Sequence, residues 1–242
     1  WDGSSWGNVA SKTDRPLRSL WGTSRGPLWV VGDAGTCLRW GGTEWNSICA
    51  VTTANLNAVW GSKSSDIWAV GDTGLAIHWD GTTWKSSSTG LSTNLRGIWG
   101  SRTSDVWAVG DGGGVTHWTG NTWLPSNSGT TNRLNAIWGS GINDIWAVGQ
   151  SGASIRWNGS SWVSLSSITT ASLYVVGGTS ANSVFMTGSN GTILRWDGTK
   201  RYGMASILET NYATYISQTG DIILGGNCKP FGYGSIQTWP VG

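Results

Sequence analysis

The sequence predicts an all-β fold, and three observations carry that prediction. Tryptophan recurs every 39 residues along the 242-residue chain, at Trp1, Trp40, Trp79, Trp118, Trp157 and Trp196. Each repeat holds four short runs of alternating apolar and polar residues, whereas a helical repeat would show a period of about 3.6 residues. Glycine-rich turn sequences separate the runs. Six copies of such a unit predict a six-bladed β-propeller whose blades are four-stranded antiparallel sheets.

The copy between residues 46 and 84 shows the four strands, which we name A to D in chain order. Strand A ends at Trp60, strand B begins at Asp66, strand C ends at Trp79 and strand D begins at Trp84. Gly-Asp-x-Gly between B and C, and Asp-Gly-Thr-Thr between C and D, predict tight turns because glycine admits positive φ and aspartate bonds its own backbone. Strand A should line the central channel. The D–A and B–C loops then share one face, the loop face, and the A–B and C–D turns share the other, the turn face.

The tryptophans of each blade fall towards the turn face in this assignment. Trp79 and Trp84, for example, are expected to face each other across the C–D hairpin. Identical blades need identical packing, and aromatic pairs stabilise sheets, so most of these indoles are interpreted as core between adjacent blades.

The continuous period indicates a single domain over residues 1–242. The blades are expected near residues 7–45, 46–84, 85–123, 124–162, 163–202 and 203–242. Residues 1–6 carry a C–D turn and the start of a strand D, so the N-terminus is predicted to complete the last blade and close the ring. Trp239 claims the same repeat position as Trp1, and the insertion from Cys228 to Tyr233 makes this blade irregular.

The composition argues against several classes of function. Charged residues make up 12% of the chain and the net charge is +2, without the basic patch that nucleic acid or anionic lipid would require. No apolar stretch approaches the roughly 20 residues of a transmembrane helix. Glu44 and Glu209 are the only glutamates, most aspartates recur at turn positions, and Cys and His form no cluster. We therefore expect no enzymatic activity, no metal and no cofactor.

The first residue suggests an extracellular protein, and the cysteines limit the possible disulfides. The chain opens at Trp1 without a methionine, as a processed secreted chain would. Cys37, Cys49 and Cys228 allow at most one internal disulfide. Cys37 and Cys49 flank one hairpin, but a two-residue turn at Gly42 and Thr43 places residue 37 opposite residue 48 and leaves residue 49 on the other face. A bulged turn that pairs Cys37 with Cys49, or a Cys49–Cys228 bridge, both stay open.

The C–D turns resemble the Asp-box of BNR-repeat propellers. Asp80 to Trp84 reads Asp-Gly-Thr-Thr-Trp, residues 2–6 and the looser 158–162 are similar, and the run from Trp68 to Gly74 looks like the second half of the signature. BNR repeats occur in sialidases and in propellers of the photosystem II assembly-factor type, so the resemblance implies the fold over about five of six blades. The chain lacks the Ser before the Asp and one Gly of the turn. In its abundance of Trp and Gly it is also similar to tectonin and fucose-lectin propellers.

A first candidate site lies on the turn face. It combines the residue before each strand-C tryptophan with that tryptophan: Arg39, His78, His117, Arg156 and Arg195, with Trp40, Trp79, Trp118, Trp157 and Trp196. Hydrogen-bond donors beside an indole suit sugar sites between blades. A cation stacked on an aromatic ring is also a common packing element, so a purely structural role is the competing interpretation.

A second candidate site lies at the channel mouth on the loop face. The second residue of strand A varies in polarity within a constant frame, as Arg18, Asn57, Arg96, Asn135 and Tyr174. Beside them the B–C turns carry Asp33, Asp72, Asp111 and Gln150, which could accept hydrogen bonds from a ligand or cap the turn.

These observations favour a secreted, lectin-like propeller. Its sites would repeat by blade, and simultaneous engagement of glycans or glycoconjugates would compensate for weak single sites. The alternative is a protein-interaction or assembly scaffold that meets a protein surface through the loop face.

Overall fold

The fold is described by a computed structural model that covers residues 4–5, 7–23 and 26–204 and the backbone of three further strands. Blade 1 contains β1 (Leu17–Gly22), β2 (Leu28–Gly32), β3 (Cys37–Trp40) and β4 (Trp45–Ser47). Blade 2 contains β5 (Leu56–Lys63), β6 (Asp66–Gly71), β7 (Leu75–Trp79) and β8 (Trp84–Ser88). Blade 3 contains β9 (Leu95–Arg102), β10 (Asp105–Gly110), β11 (Val115–Trp118) and β12 (Trp123–Pro125).

Blades 4 to 6 continue the same order. Blade 4 contains β13 (Leu134–Gly141), β14 (Asp144–Gly149), β15 (Ser154–Trp157) and β16 (Trp162–Ser164). Blade 5 contains β17 (Leu173–Ser180), β18 (Ser183–Gly188), β19 (Ile193–Trp196) and β20 (Arg201–Met204). The described strands of blade 6 are β21 (Leu208–Ile216), β22 (Ile222–Cys228) and β23 (Gly234–Trp239).

The sheet topology confirms the predicted all-β architecture. Each blade is a meander of antiparallel strands in chain order, and in blades 1 to 5 the first strand packs against the first strand of the next blade. Trp79 pairs with Trp84 across the C–D hairpin, as expected, and Trp60 pairs with Trp68. Strand A does not end at Trp60, because β5 continues to Lys63, which pairs with Asp66. The expected closure by Trp1 to Trp6 lies outside the described residues.

The predicted turns form, and their geometry explains their sequences. Between B and C the chain makes a single 3-10 turn, Asp72–Gly74, in which Thr73 and Gly74 both have positive φ. A Cβ on Gly74 would lie 2.0 Å from the carbonyl oxygen of Leu91, so only glycine fits there. Between C and D the Oδ1 of Asp80 accepts hydrogen bonds from the backbone N–H groups of Thr82 (3.0 Å) and Thr83 (2.9 Å). The aspartate therefore holds the C–D turn by bonding its own backbone, as the sequence predicts.

The core lies between the blades and is built around the tryptophan of strand B. Trp68 is buried against the next blade, with its ring centroid 4.8 Å from that of Trp118 and 5.2 Å from that of Trp123. The ring planes of Trp68 and Trp123 meet at 90°, the edge-to-face arrangement that aromatic pairs favour. Trp29 and Trp107 make the equivalent contacts with blades 2 and 4. One packing unit thus repeats around the propeller.

The Trp-Gly pair of strand A forms a second repeated contact nearer the channel. A Cβ placed on Gly100 would lie 2.6 Å from Cη2 of Trp60, in the preceding blade. Trp99 covers Gly139 in the same way. Each indole therefore lies over the glycine of the next strand A, where a side chain would displace it.

One face of blade 1 departs from this pattern. Leu17 and Leu20 are 42% and 59% exposed, whereas the equivalents of Leu17 in blades 2 to 5 are fully buried by the preceding blade. With Val9 and Trp45, they line an open cleft of about 390 Å³. A closed ring would have to bury this face.

The first hairpin contains a disulfide between Cys37 and Cys49. The pairing of Leu38 with Ser47 places Cys37 opposite Ile48, as the turn length predicts. Cys49 lies beyond the end of β4, so the pleat of the strand does not fix the direction of its side chain. The bridge to Cys228, the other pairing that the sequence left open, does not form.

We predict that Gly139→Ala lowers the free energy of unfolding by about 1–3 kcal/mol, because the new methyl group must displace the ring of Trp99. Gly141→Ala is the matched control, since it lies in the same strand and its Cβ would meet nothing within 4 Å. Urea denaturation of the two variants measures the difference. Equal midpoints would contradict the proposed Trp–Gly contact.

Candidate binding surfaces on the turn face and the loop face

The histidines of the turn-face set are held inside the fold. His78 Nε2 lies 2.6 Å from Oδ1 of Asp66, and its ring stacks on Trp68 with centroids 4.2 Å apart. His117 repeats this arrangement with Asp105 at 2.6 Å and with Trp107 at 3.9 Å between centroids. Each histidine thus uses one ring face for stacking and one ring nitrogen for a hydrogen bond within the fold.

The arginines of the same set also lie over the strand-B ring of their own blade. Arg156 donates from Nε to Oδ1 of Asp144 at 2.6 Å, and its guanidinium lies 5.0 Å from the centroid of Trp146. Arg39 lies over Trp29, and Arg195 lies over Phe185. All five residues therefore occupy the position of a stacked cation or imidazole, as the structural interpretation expects.

The structure joins these residues to different tryptophans from those that the sequence suggested. Successive residues of strand C point to opposite sides of the sheet, so His78 and Trp79 do not share a site. Trp118 of blade 3 meets Trp68, on which His78 is stacked. Likewise, Arg156 lies 5.5 Å from the ring of Trp196. In blades 1 to 4 the stacked residue thus shares its strand-B ring with the strand-C indole of the following blade.

The aspartate at the start of strand B links the polar groups of the turn face. Ser62 and His78 donate to different oxygens of Asp66, whose side chain is only 4% exposed. Burial would raise the pKa of this carboxyl, but the hydrogen bonds from His78 and Ser62 outweigh it and lower the pKa. The pKa of Asp105 is lowered in the same way, because hydrogen bonds from His117 and Ser101 outweigh the effect of burial. Because the carboxylate receives both donors, the serine and the histidine do not form a nucleophile–base pair.

Open clefts occur at three turn-face positions. The junction of blades 3 and 4 holds a cleft of about 290 Å³ lined by His117, Asn143 and Trp157 among others. A cleft of about 360 Å³ is lined by Asn143, Arg156, Asn158, Val163 and Leu165. A wider one, of about 590 Å³, contains Arg39 and Trp40.

The channel-mouth set on the loop face forms pairs with the B–C turns. Arg96 donates to both oxygens of Asp111, at 2.9 and 2.8 Å, and Arg18 pairs with Asp33. Asp111 raises the pKa of Arg96 through these hydrogen bonds. Both partners of each pair remain partly exposed, in contrast to Asp66.

The neutral members of this set bind the backbone of the next blade. Asn57 Nδ2 donates to Oδ1 of Asp72 and to the carbonyl of Leu95, both at 2.9 Å. Asn135 Nδ2 donates to the carbonyl of Leu173 at 2.7 Å. The variable position therefore combines a structural bond with a partly exposed location. Tyr174 and Gln150 occupy the same two positions of the repeat in blades 5 and 4.

Arg133 is a candidate that the sequence reasoning missed. The side-chain oxygens of Asn55 and Asn94 accept hydrogen bonds from the turn residues Ala34 and Thr73 of the preceding blade, both at 2.9 Å. Arg133 stands 39 residues after Asn94, and its side chain is half-buried. Its Nε is buried without a hydrogen-bond partner among the described residues, and its charge adds to the hydrogen bonds from Arg96 that lower the pKa of Asp111. In the sequence, the signal that could have identified Arg133 is the replacement of asparagine by arginine at this repeat position.

The described part of the chain contains no group of three or more His, Cys, Asp or Glu side chains that could hold a metal ion. It also contains no helix with the length and apolar character needed to cross a membrane.

We predict that the free energy of unfolding falls as the pH drops below about 3.8, the ordinary pKa of an aspartate. Asp66 and Asp105 have lower pKa values in the folded state, so their contribution is complete above that pH and is lost as the pH falls through the folded values. The double variant Asp66→Asn/Asp105→Asn should lose less stability between pH 5 and pH 2, measured by urea denaturation. Exposed Asp14→Asn is the control. An unchanged acid slope in the double variant would contradict the role of these carboxylates.

Comparison with known proteins supports the fold rather than a particular activity. Neither a family model nor a curated protein sequence matches the chain. Among 712 matching chains of solved structures is one described as YCF48 bound to D1 peptide. It superposes with a TM-score of 0.71 at 17% sequence identity, over 92% of this chain and 79% of that one. This likeness shows that the chain has a β-propeller fold similar to that of YCF48.

Proposed function

We propose that the chain is a protein-interaction propeller that binds a segment of a partner protein at the channel mouth on the loop face. The observation that carries this proposal is the contrast between the two polar sets. On the turn face the repeated carboxylates are buried and bonded inside the fold, whereas the loop-face pairs are accessible. Arg133, which is partly exposed, adds a second guanidinium near Asp111.

The comparison with YCF48 supports a protein partner as a class. That propeller is described as bound to a peptide. Low sequence identity means that the identity of its partner is not transferred to this chain. What is shared is a scaffold in which strands are fixed and side chains at one end can vary.

The chemistry of the channel mouth indicates what the segment carries. The partly exposed guanidinium groups of Arg96 and Arg133 can donate to a carboxylate, and Gln150 offers an amide. Asp33 and Asp111, although paired, can accept hydrogen bonds from backbone N–H groups of a bound segment. A polar, extended segment with at least one acidic group fits this surface.

Carbohydrate binding is the second candidate, and it would use the turn-face clefts. The half-buried Trp157 and the nearby His117 in the junction of blades 3 and 4 favour it. The packing roles of the five stacked residues weigh against a set of equivalent sugar sites. A broad glycan array tests this function. Glycan binding that is reduced by His117→Ala would support carbohydrate binding in the turn-face clefts.

The proposal includes two further properties. We infer a binding protein rather than an enzyme, because the bonded Ser62–Asp66–His78 group lacks the nucleophile–base contact of a hydrolase. We also infer an extracellular location, which the Cys37–Cys49 disulfide supports because such bridges persist in oxidising compartments.

We predict that Arg133→Ala weakens peptide binding at the channel mouth about tenfold or more, since a hydrogen bond to a charged group contributes about 1.5–3 kcal/mol. The probe is a phage library of random octapeptides panned on the whole chain, and fluorescence anisotropy of selected peptides measures Kd. Lys85→Ala, on the outer strand of blade 2, is the control. If every selected peptide binds Arg133→Ala as well as the original chain, the channel mouth is not the site.

A further inference from the structure

Three exposed apolar side chains mark blades 3 and 4 on their outer and turn-face sides. Leu124, Ile142 and Val163 are 51%, 42% and 44% exposed. The repeat shows that the fold does not require them. Blades 1 and 2 have Asn46 and Lys85 at the position of Leu124 and Val163, and blades 2 and 3 have Ser64 and Thr103 at the position of Ile142.

Two of these side chains, Ile142 and Val163, line neighbouring clefts that share a wall. Ile142 lines the cleft at the junction of blades 3 and 4, Val163 lines the neighbouring cleft, and Asn143 lines both. We name the combined surface the blade-4 groove, defined by Arg102, His117, Ile142, Asn143, Arg156 and Val163. A ligand that fills both clefts must cross Asn143, so it has to be extended.

The accessible charge of the groove is positive. Arg102 is exposed and forms no ion pair with a described residue, and Arg156 keeps 31% of its side chain exposed. The carboxylates beneath them, Asp105 and Asp144, are largely covered and hydrogen-bonded.

The C–D turns next to the groove have also lost their acidic residue. Asp80 and Asp197 hold the C–D turns of blades 2 and 5, where each accepts hydrogen bonds from the turn backbone. Thr119 and Asn158 stand at this position in blades 3 and 4, and each lines one of the two clefts. The repeated negative charge is therefore absent on both sides of the groove.

We infer that the blade-4 groove binds an extended acidic segment of a partner protein, with Asp or Glu residues interspersed among Leu, Ile or aromatic residues. The apolar side chains fit the surface formed by Ile142 and Val163, and the carboxylates meet Arg102 and Arg156. Ile142 and Val163 can bury apolar side chains but cannot hydrogen-bond the hydroxyl groups of a sugar, so these two positions favour a peptide over a glycan. The groove lies on the face opposite the channel mouth and does not depend on the function proposed there.

The test uses substitutions that the repeat itself supplies. Ile142→Thr and Val163→Lys introduce the residues that blades 3 and 2 carry at the equivalent positions, Thr103 and Lys85, so the fold already accommodates them. The random-octapeptide library is panned on the whole chain and on this double variant. Peptides selected by the original chain alone should be rich in Asp, Glu and large apolar residues, and their Kd should rise about tenfold or more on the double variant.

Two further variants separate the possible outcomes. Arg102→Glu should weaken the same peptides, and Arg133→Ala should leave their Kd unchanged because it lies at the channel mouth. The inference is overturned if no peptide distinguishes the double variant, if the distinguishing peptides are neutral or basic, or if Arg102→Glu has no effect. It is also overturned if the double variant abolishes binding of sugars found on a glycan array while panning yields no peptide that distinguishes the variant. Peptides sensitive to Arg133→Ala alone would support only the channel-mouth site.

Discussion

The contact on which the rest of the structure depends is the strand-B indole buried between two blades. Trp68 stacks with His78 on its own sheet and meets Trp118 and Trp123 of the next sheet. The described sheets have no helices to cover their faces, so these rings supply much of the apolar surface that blades bury against each other. Because adjacent blades meet through the same rings, a change in one blade's packing must be matched in its neighbour. This constraint explains why the repeat tolerates so little variation in its aromatic residues.

The same constraint accounts for the polar residues of the turn face. His78 can stack on Trp68 only if its ring nitrogen is satisfied, and Asp66 provides the acceptor. Asp66 is in turn satisfied by Ser62. Buried polar groups are stable when the whole network is bonded, so the serine, aspartate and histidine are retained together. Their recurrence in the sequence reflects packing, and recurrence alone therefore cannot identify a binding site in this fold.

The sequence was sufficient for the features that depend on local periodicity. The 39-residue repeat predicted the strands, the turns and the register that places Cys37 opposite Ile48. It placed the end of strand A too early, because residues 61–63 lack apolar alternation although they still pair with β6. It also could not show that His78 lies beside Trp118 rather than Trp79, since that depends on how blades stack. Arg133 could be recognised as unusual only once the structure showed that Asn55 and Asn94, at the same repeat position, bond the turn of the preceding blade.

Differences between blades carry the functional information that the repeat itself hides. Blades 2 to 4 provide an aspartate beneath the stacked residue, whereas blades 1 and 5 have Pro27 and Ser183 at that position. Within the described part of the chain, Arg39 and Arg195 consequently make ring contacts but no ion pair, and the Nε of Arg195 has no hydrogen-bond partner there. Five such positions cannot offer one ligand five equal sites. A ligand that exploits a local departure from the repeat suits this propeller better than one that requires its symmetry, and an asymmetric protein segment is a ligand of that kind.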